Sequence, residues 1–272
     1  MARRIGLIGQ PNTGKSFSRT FIDDPSDCFV ISPSDKDAYL RQGDKPAKAL
    51  ELTIKGEDYR KVAKDKKLSV NQLIKAIVTS PPPEMKVSGH HVFVADLNYI
   101  ETYIKFVNDF MPHIKNLFIA DFTHLISDVV TSKAFMSRNS GGQAFARYTD
   151  LAADALNNVF KAIGGLRDDL LVITEFHAQM GEDEFYDVFL PAGKMLKDKF
   201  LPKSYFDIML CTHVLPYDDN VEVAKDRYKF VVEKIEPFDA RTANLFAAES
   251  IKGMIPNDMG LVLKKIRNYY NI

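Results

Sequence analysis

The chain has 272 residues, 46% of them hydrophobic and 26% charged, with 36 Lys and Arg set against 36 Asp and Glu. That length supplies a core large enough to fold without staples, and the mix is globular rather than disordered or collagen-like. A net charge of zero gives no global positive field, so any polyanion site has to be local. The two cysteines, Cys28 and Cys211, have no zinc-like spacing and read as buried thiols in a reducing compartment. The apolar stretch in MARRIGLIGQ is too short for a cleaved leader, and no apolar run reaches membrane length. A cytoplasmic protein with no membrane partner is expected.

In chain order, Ile5 to Ile8 is a short apolar run between Arg-Arg and Gly9, as expected of a strand buried on both faces of a parallel sheet. A helix is predicted to start within Ser16 to Ile22. Cys28 to Ile31 is a second strand, stopped by Ser32-Pro33-Ser34-Asp35. Residues 36 to 89 alternate Lys and Asp densely and read as a surface insertion on one domain spanning 1 to 272. Within it, Ser69 can cap a helix with Val70, Leu73, Ile74 and Ile77 on one face, ended by Pro81-Pro82-Pro83.

His91 to Leu97 is a third strand, and Asn98 can cap the helix after it. Leu117 to Ala120 is a fourth strand closed by Asp121, and Gln143 to Ile163 is a helix stopped at Gly164-Gly165. Leu170 to Ile173 is a fifth strand. Phe206 to Leu215 and Arg227 to Ile235 read as consecutive strands around a Tyr217 to Asn220 turn, followed by a helix from Asp258 to Tyr270. The fold class expected is α/β, a mainly parallel sheet flanked by helices with an antiparallel C-terminal edge.

Gly9-Gln10-Pro11-Asn12-Thr13-Gly14-Lys15-Ser16 matches G-x-x-x-x-G-K-[ST] between a buried strand and a helix start. The glycines let main-chain N–H groups turn inward, Lys15 reaches the β and γ phosphates, and Ser16 ligates Mg²⁺. With Phe17, this segment is the expected ATP site. Asp121, after four apolar residues, is the acid expected to hold the magnesium shell.

Beyond the fifth strand, His177 or Thr174 is placed to sense the γ-phosphate. Glu175 can orient the attacking water or be a plain exposed loop acid. His124 is a weaker candidate, and His90, His91, His113 and His213 read as surface or core residues. Arg241 is either an arginine finger offered to a neighbouring subunit or a solvated surface residue, with Lys234 and Lys252 as rivals.

Taken together, GQPNTGKS, NLFIADF, LRDDLLVITEFH, PAGKMLKDKF and IPNDMGLVLKKIRNYY resemble the phage-encoded P-loop ATPases of RecA-like fold, AAA family proteins that include those grouped with single-strand annealing recombinases. The resemblance implies phosphate binding by Gly9 through Ser16, magnesium at Ser16 and Asp121, and sensing at His177. Two positions depart from the family pattern: Ala120 stands where an acid often precedes Asp121, and Phe176 stands where Thr usually precedes the sensor His.

The function expected is a Mg²⁺-dependent ATPase of phage DNA recombination or replication. It would act on single-stranded DNA or with a replication or recombination protein, as a homo-oligomer in the host cytoplasm. Lys45, Lys48, Lys55, Lys61, Lys64, Lys66 and Lys67 form either a basic face for phosphates or a merely solvated one. The alternatives are a nucleotide kinase, which needs an arginine-rich lid, and a nucleotide-gated interaction protein with little turnover.

Overall fold

Apolar runs bounded by turn residues can only bury both faces by pairing side by side, and they do so here in one sheet. The computed structural model describes residues 2–33, 40–42, 45–137, 143–191, 194–198, 200–216 and 224–272. Its main strands are β1 (Arg3–Gly9), β2 (Cys28–Ser32), β3 (His91–Phe93), β4 (Asn116–Ile119), β5 (Leu171–Met180), β6 (Tyr186–Val188), β7 (Ile208–Val214), β8 (Tyr228–Val231) and β9 (Met254–Pro256). The helices are α1 (Tyr59–Asp65), α2 (Val70–Thr79), α3 (Ile100–Phe110), α4 (Phe122–Thr131), α5 (Gln143–Ala155) and α6 (Met259–Tyr270).

The strands lie in the order β9, β8, β7, β1, β5, β4, β2, β3, with β6 paired to β5. From β7 to β3 every pairing is parallel. Strand β8 runs antiparallel to β7 and β9, and β6 runs antiparallel to β5. The α/β class and the antiparallel C-terminal edge are therefore as the sequence predicts. Residues 217–220, the expected turn at that edge, lie outside the described residues.

Alternation along the strands divides the core in two. Ile5, Leu7, Val30, Phe118 and Ile173 pack beneath α6 through Met259, Val262 and Ile266. Ile8, Ile31, Leu117, Val172 and Phe176 pack on the other face with α3, α4 and α5. Asp258 caps α6 by accepting from the Leu261 N–H at 3.0 Å. Helix α5 continues through a π turn at Leu156–Lys161 and stops at Gly164, close to the predicted end.

Three local expectations are corrected, and the segment read as an insertion proves to carry structure of its own. The segment after the glycine loop is no α-helix but a five-residue 3-10 turn, Phe17–Phe21. There the Ser18 and Thr20 hydroxyls donate to the Lys15 and Phe17 carbonyls, local bonds that compete with helical ones. Strand β3 ends at Phe93, since Asp96, not Asn98, caps a 3-10 turn at Leu97–Tyr99. Strand β5 runs on to Met180 because β1 pairs with it as far as His177 and β6 pairs beyond. The insertion contains short strands of its own, Glu51–Ile54, Glu57–Asp58 and Met85–Ser88, in an antiparallel sheet with α1 and α2 beside it.

The predicted Ser69 cap is a full capping box with Gln72. Leu52, Ile54, Val62, Leu73, Ile74 and Ile77 join the core around α3, so the insertion is anchored to the sheet. Phe176 is fully buried against Phe122 and Phe206. Phe176→Ala is expected to cost about 3 to 5 kcal/mol of stability in urea unfolding, and an unchanged midpoint would contradict this packing.

Candidate nucleotide site

Strand β1 gives way to a turn at Gly9. A Cβ there would lie 1.7 Å from Thr212 Oγ1, so the chain passes β7 this closely only as glycine. Asn12 and Gly14 adopt φ of 61° and 96°. On Gly14 a Cβ would also meet the Tyr228 ring at 2.8 Å. Thr13 pins the turn by donating to the Gln10 carbonyl at 2.7 Å. Among the described residues, no hydrogen bond is made by the main-chain N–H groups of Asn12 to Ser16, which leaves them to an external acceptor.

Lys15 is only 5% exposed. Its Nζ donates to the Gly9 and Gln10 carbonyls at 2.8 and 2.9 Å, which uses two of its three N–H donors. Burial pushes its pKa below the ordinary lysine value, against the opposing pull of Glu175 and Asp121. Lys15 borders a cavity of about 750 Å³ together with Asn12, Gly14, Ser16, Phe17, Asp121, His124, His177 and Tyr228.

Strand order builds this cavity, because β5 lies between β1 and β4 and brings the ends of three parallel strands together. Asp121 follows β4 in a left-handed conformation, φ 46°, that turns the chain into α4. Its Oδ1 lies 3.8 Å from His177 Nε2. The His177 ring meets His124 edge-on at 5.2 Å between centroids, and its main-chain N–H donates to Thr123 Oγ1 at 3.0 Å.

Of the sequence-predicted residues, Pro11, Asn12, Gly14, Lys15, Ser16, Phe17, Asp121 and His177 line the cavity. Gly9, Gln10 and Thr13 border a second, much smaller cavity beside Thr212 instead. His124, weighed below His177 on sequence, stands beside it. Thr174 is fully buried and does not line the cavity.

Glu175 is not the exposed loop acid the sequence allowed. It sits inside β5, fully buried, in an ion pair with Arg19, and does not line the cavity. Burial raises its pKa above the usual carboxylate range, with Arg19 opposing the shift. Arg241 stands outside the cavity, exposed, its Nη2 donating to the Lys203 carbonyl at 2.7 Å. Lys234 and Lys252 are outside it too.

Sequence reasoning missed Arg19 and Tyr228. Arg19 is 2% exposed and lines the cavity while holding Glu175. The signal was Glu175 itself, since an acid inside an apolar strand needs a buried cation. Tyr228 arrives on β8 against Phe17, ring centroids 5.6 Å apart, and no local pattern announces it.

The residues present fit a magnesium nucleotide. Unbonded loop N–H groups and the third Lys15 donor suit phosphate oxygens, and the Ser16 hydroxyl and Asp121 carboxylate are oxygen donors of the kind magnesium takes. Among the described residues no group of three or more His, Cys, Asp and Glu stands ready to hold a metal. A divalent ion here would draw further oxygens from the phosphates and water.

No family model and no curated protein matches the chain. Among solved structures it is similar to one described as an ATPase domain, at 12% identity and a TM-score of 0.38, over 88% of this chain and 78% of that one. It is also similar to a DnaB-like replicative helicase solved for its interactions with primase, at 14% identity and a TM-score of 0.39, over 88% of this chain but only 53% of the helicase. Neither likeness is strong enough to transfer a residue's role to this chain.

Because Glu175 and Arg19 are both buried, Arg19→Met strands a carboxylate and is expected to cost about 3 to 5 kcal/mol at neutral pH. A carboxyl whose folded pKa lies above its unfolded value loses stability as pH rises between the two. The loss in Arg19→Met should therefore shrink as pH falls and Glu175 keeps its proton. Urea unfolding of Arg19→Met across pH, beside Arg19→Met/Glu175→Met, checks this: the double variant should recover most of the loss, and additive losses would contradict the pairing.

Proposed function

We propose that the chain binds ATP with Mg²⁺ and hydrolyses it to ADP and phosphate. The observation that carries this reading is the buried Lys15 ammonium group, held by two carbonyls of its own loop with one donor left at a cavity shared with Asp121 and His177. The segment Gly9 to Phe17 wraps the triphosphate, and Lys15 stabilises the charge that develops on the γ-phosphoryl oxygens. Ser16 and Asp121 hold the magnesium ion, which neutralises phosphate charge when bound. His177, beside Asp121, registers whether the γ-phosphate is present and passes the difference into β5 and β6.

The wider reading is a RecA-like ATPase of phage DNA recombination or replication that acts on single-stranded DNA as a homo-oligomer. An exposed Arg241 outside its own chain's cavity supports a role offered to a neighbour's. A nucleotide kinase finds less support, because Arg19 is the one arginine lining the cavity among the described residues and Glu175 engages it. A nucleotide-gated switch with slow turnover is favoured by one observation: burial of Glu175 removes the acid best placed in sequence to activate water.

Product analysis separates the readings: ADP with free phosphate, a phosphorylated acceptor, or no product. Lys15→Ala should abolish the rise in melting temperature given by ATP, and full protection in that variant would remove the loop from the site. Asp121→Asn should keep that protection while turnover in magnesium falls roughly 100-fold, the scale of losing one preorganised charge. An undiminished rate would assign the metal to another acid.

A further inference from the structure

The insertion carries a charge that the rest of the chain does not. Residues 45 to 88 hold ten Lys and Arg against five Asp and Glu, within a chain whose total is zero. Uneven charge of this kind marks a local polyanion surface, and the geometry here is specific.

Helices α1 and α2 are joined by four residues, Lys66 to Ser69. Lys67 takes a left-handed φ of 54°, and the Leu68 N–H returns to the Ala63 carbonyl at 2.9 Å, so the turn is tight. Val62 and Ala63 of α1 join Leu73, Ile74 and Ile77 of α2 in one apolar core. Tyr103 of α3 donates to Asn71 Oδ1 at 2.8 Å and holds α2 from behind. Two short helices across a tight turn, the second rigidly backed, are the parts of a helix-turn-helix.

The outward face of α2 has the chemistry of a groove reader. Gln72, Lys75, Ala76 and Thr79 follow one another at helical spacing and are exposed. Lys75 offers its ammonium group. Gln72 Oε1 accepts from the Ser69 N–H at 2.8 Å and the Thr79 hydroxyl donates to the Lys75 carbonyl at 3.0 Å. That leaves the Gln72 amide N–H donors and the Thr79 oxygen lone pairs, with small Ala76 where a base edge would come closest. Around the turn, Lys64, Lys66 and Lys67 are exposed, and none forms an ion pair among the described residues. The acids Glu57 and Asp58 are taken up by Lys61 and Arg60, at 2.7 and 3.5 Å. Asp65 is then the one acid set among the three turn lysines, so the turn keeps a net positive charge.

We infer that the insertion is a docking surface for duplex DNA, with α2 in the major groove and Lys64, Lys66 and Lys67 on the phosphates. A single strand offers no groove for a rigidly backed helix, whereas a major groove about 12 Å wide admits one. The surface is separate from the nucleotide cavity and does not depend on how that cavity is read.

Fluorescence anisotropy on the full chain, without nucleotide, tests it with a labelled mixed-sequence duplex of roughly 20 base pairs, about two helical turns. The matching single strand is the competitor. The expected result is duplex binding that weakens between about 50 and 200 mM salt. The Lys64→Ala/Lys66→Ala/Lys67→Ala variant should bind roughly 10-fold more weakly, with a salt slope shallower by about 3, near one unit per lost phosphate contact. Lys75→Glu should weaken binding as well, while Lys264→Ala, outside the insertion, should not. Melting curves matched to the parent chain show that the variants fold. No duplex binding, preference for the single strand, or an unchanged slope in the triple variant would each overturn the assignment.

Discussion

Two cations and one carboxylate are drawn out of water at one end of the sheet beside a second, half-buried carboxylate, and the structure there is arranged to keep each of them partnered. Lys15 is held by the carbonyls of Gly9 and Gln10, Arg19 by Glu175, and Asp121 stands within reach of His177. Charges this buried are costly alone. They come from three separate stretches of chain, Lys15 and Arg19 from one and Asp121 and Glu175 from two others, so the order β1, β5, β4 is what makes the arrangement possible. The register sets Gly9 opposite His177, and the acid after β4 completes the group. A loop that commits its lysine to its own carbonyls still keeps one donor and a row of N–H groups for an anion.

The charge of the whole chain hides a division of labour. Around the cavity the signs are interleaved and nearly cancel, which suits a ligand that brings its own negative charge and metal. In the insertion they do not cancel, and part of the excess sits on an outward-facing turn. The two surfaces belong to one framework, because the apolar side of α2 packs into the same core as α3 and the strands beneath it.

Much of this was legible in the residues because its physics is local. The glycine loop is eight consecutive residues, and Asp121 follows an uninterrupted apolar run. The start of α6 at Asp258 and the cap at Ser69 were equally readable, since caps act within one turn. Long-range partners misled the reading elsewhere. Thr174 and Glu175 resemble the end of a strand until Arg19 is seen to neutralise the acid and β1 to continue pairing. The helix expected after the loop failed because Ser18 and Thr20 bond to their own main chain, a choice propensity alone does not decide. His124 gained its place from the left-handed turn at Asp121, and Tyr228 from a strand far along the chain.

The most direct measurement is an experimental structure of the chain soaked with magnesium and a non-hydrolysable ATP analogue. The account predicts the terminal phosphate within hydrogen-bonding distance of Lys15 Nζ and the loop N–H groups, with the metal between the Ser16 hydroxyl and the Asp121 carboxylate. A triphosphate bound elsewhere, or a loop whose amides turn away from it, would contradict the account.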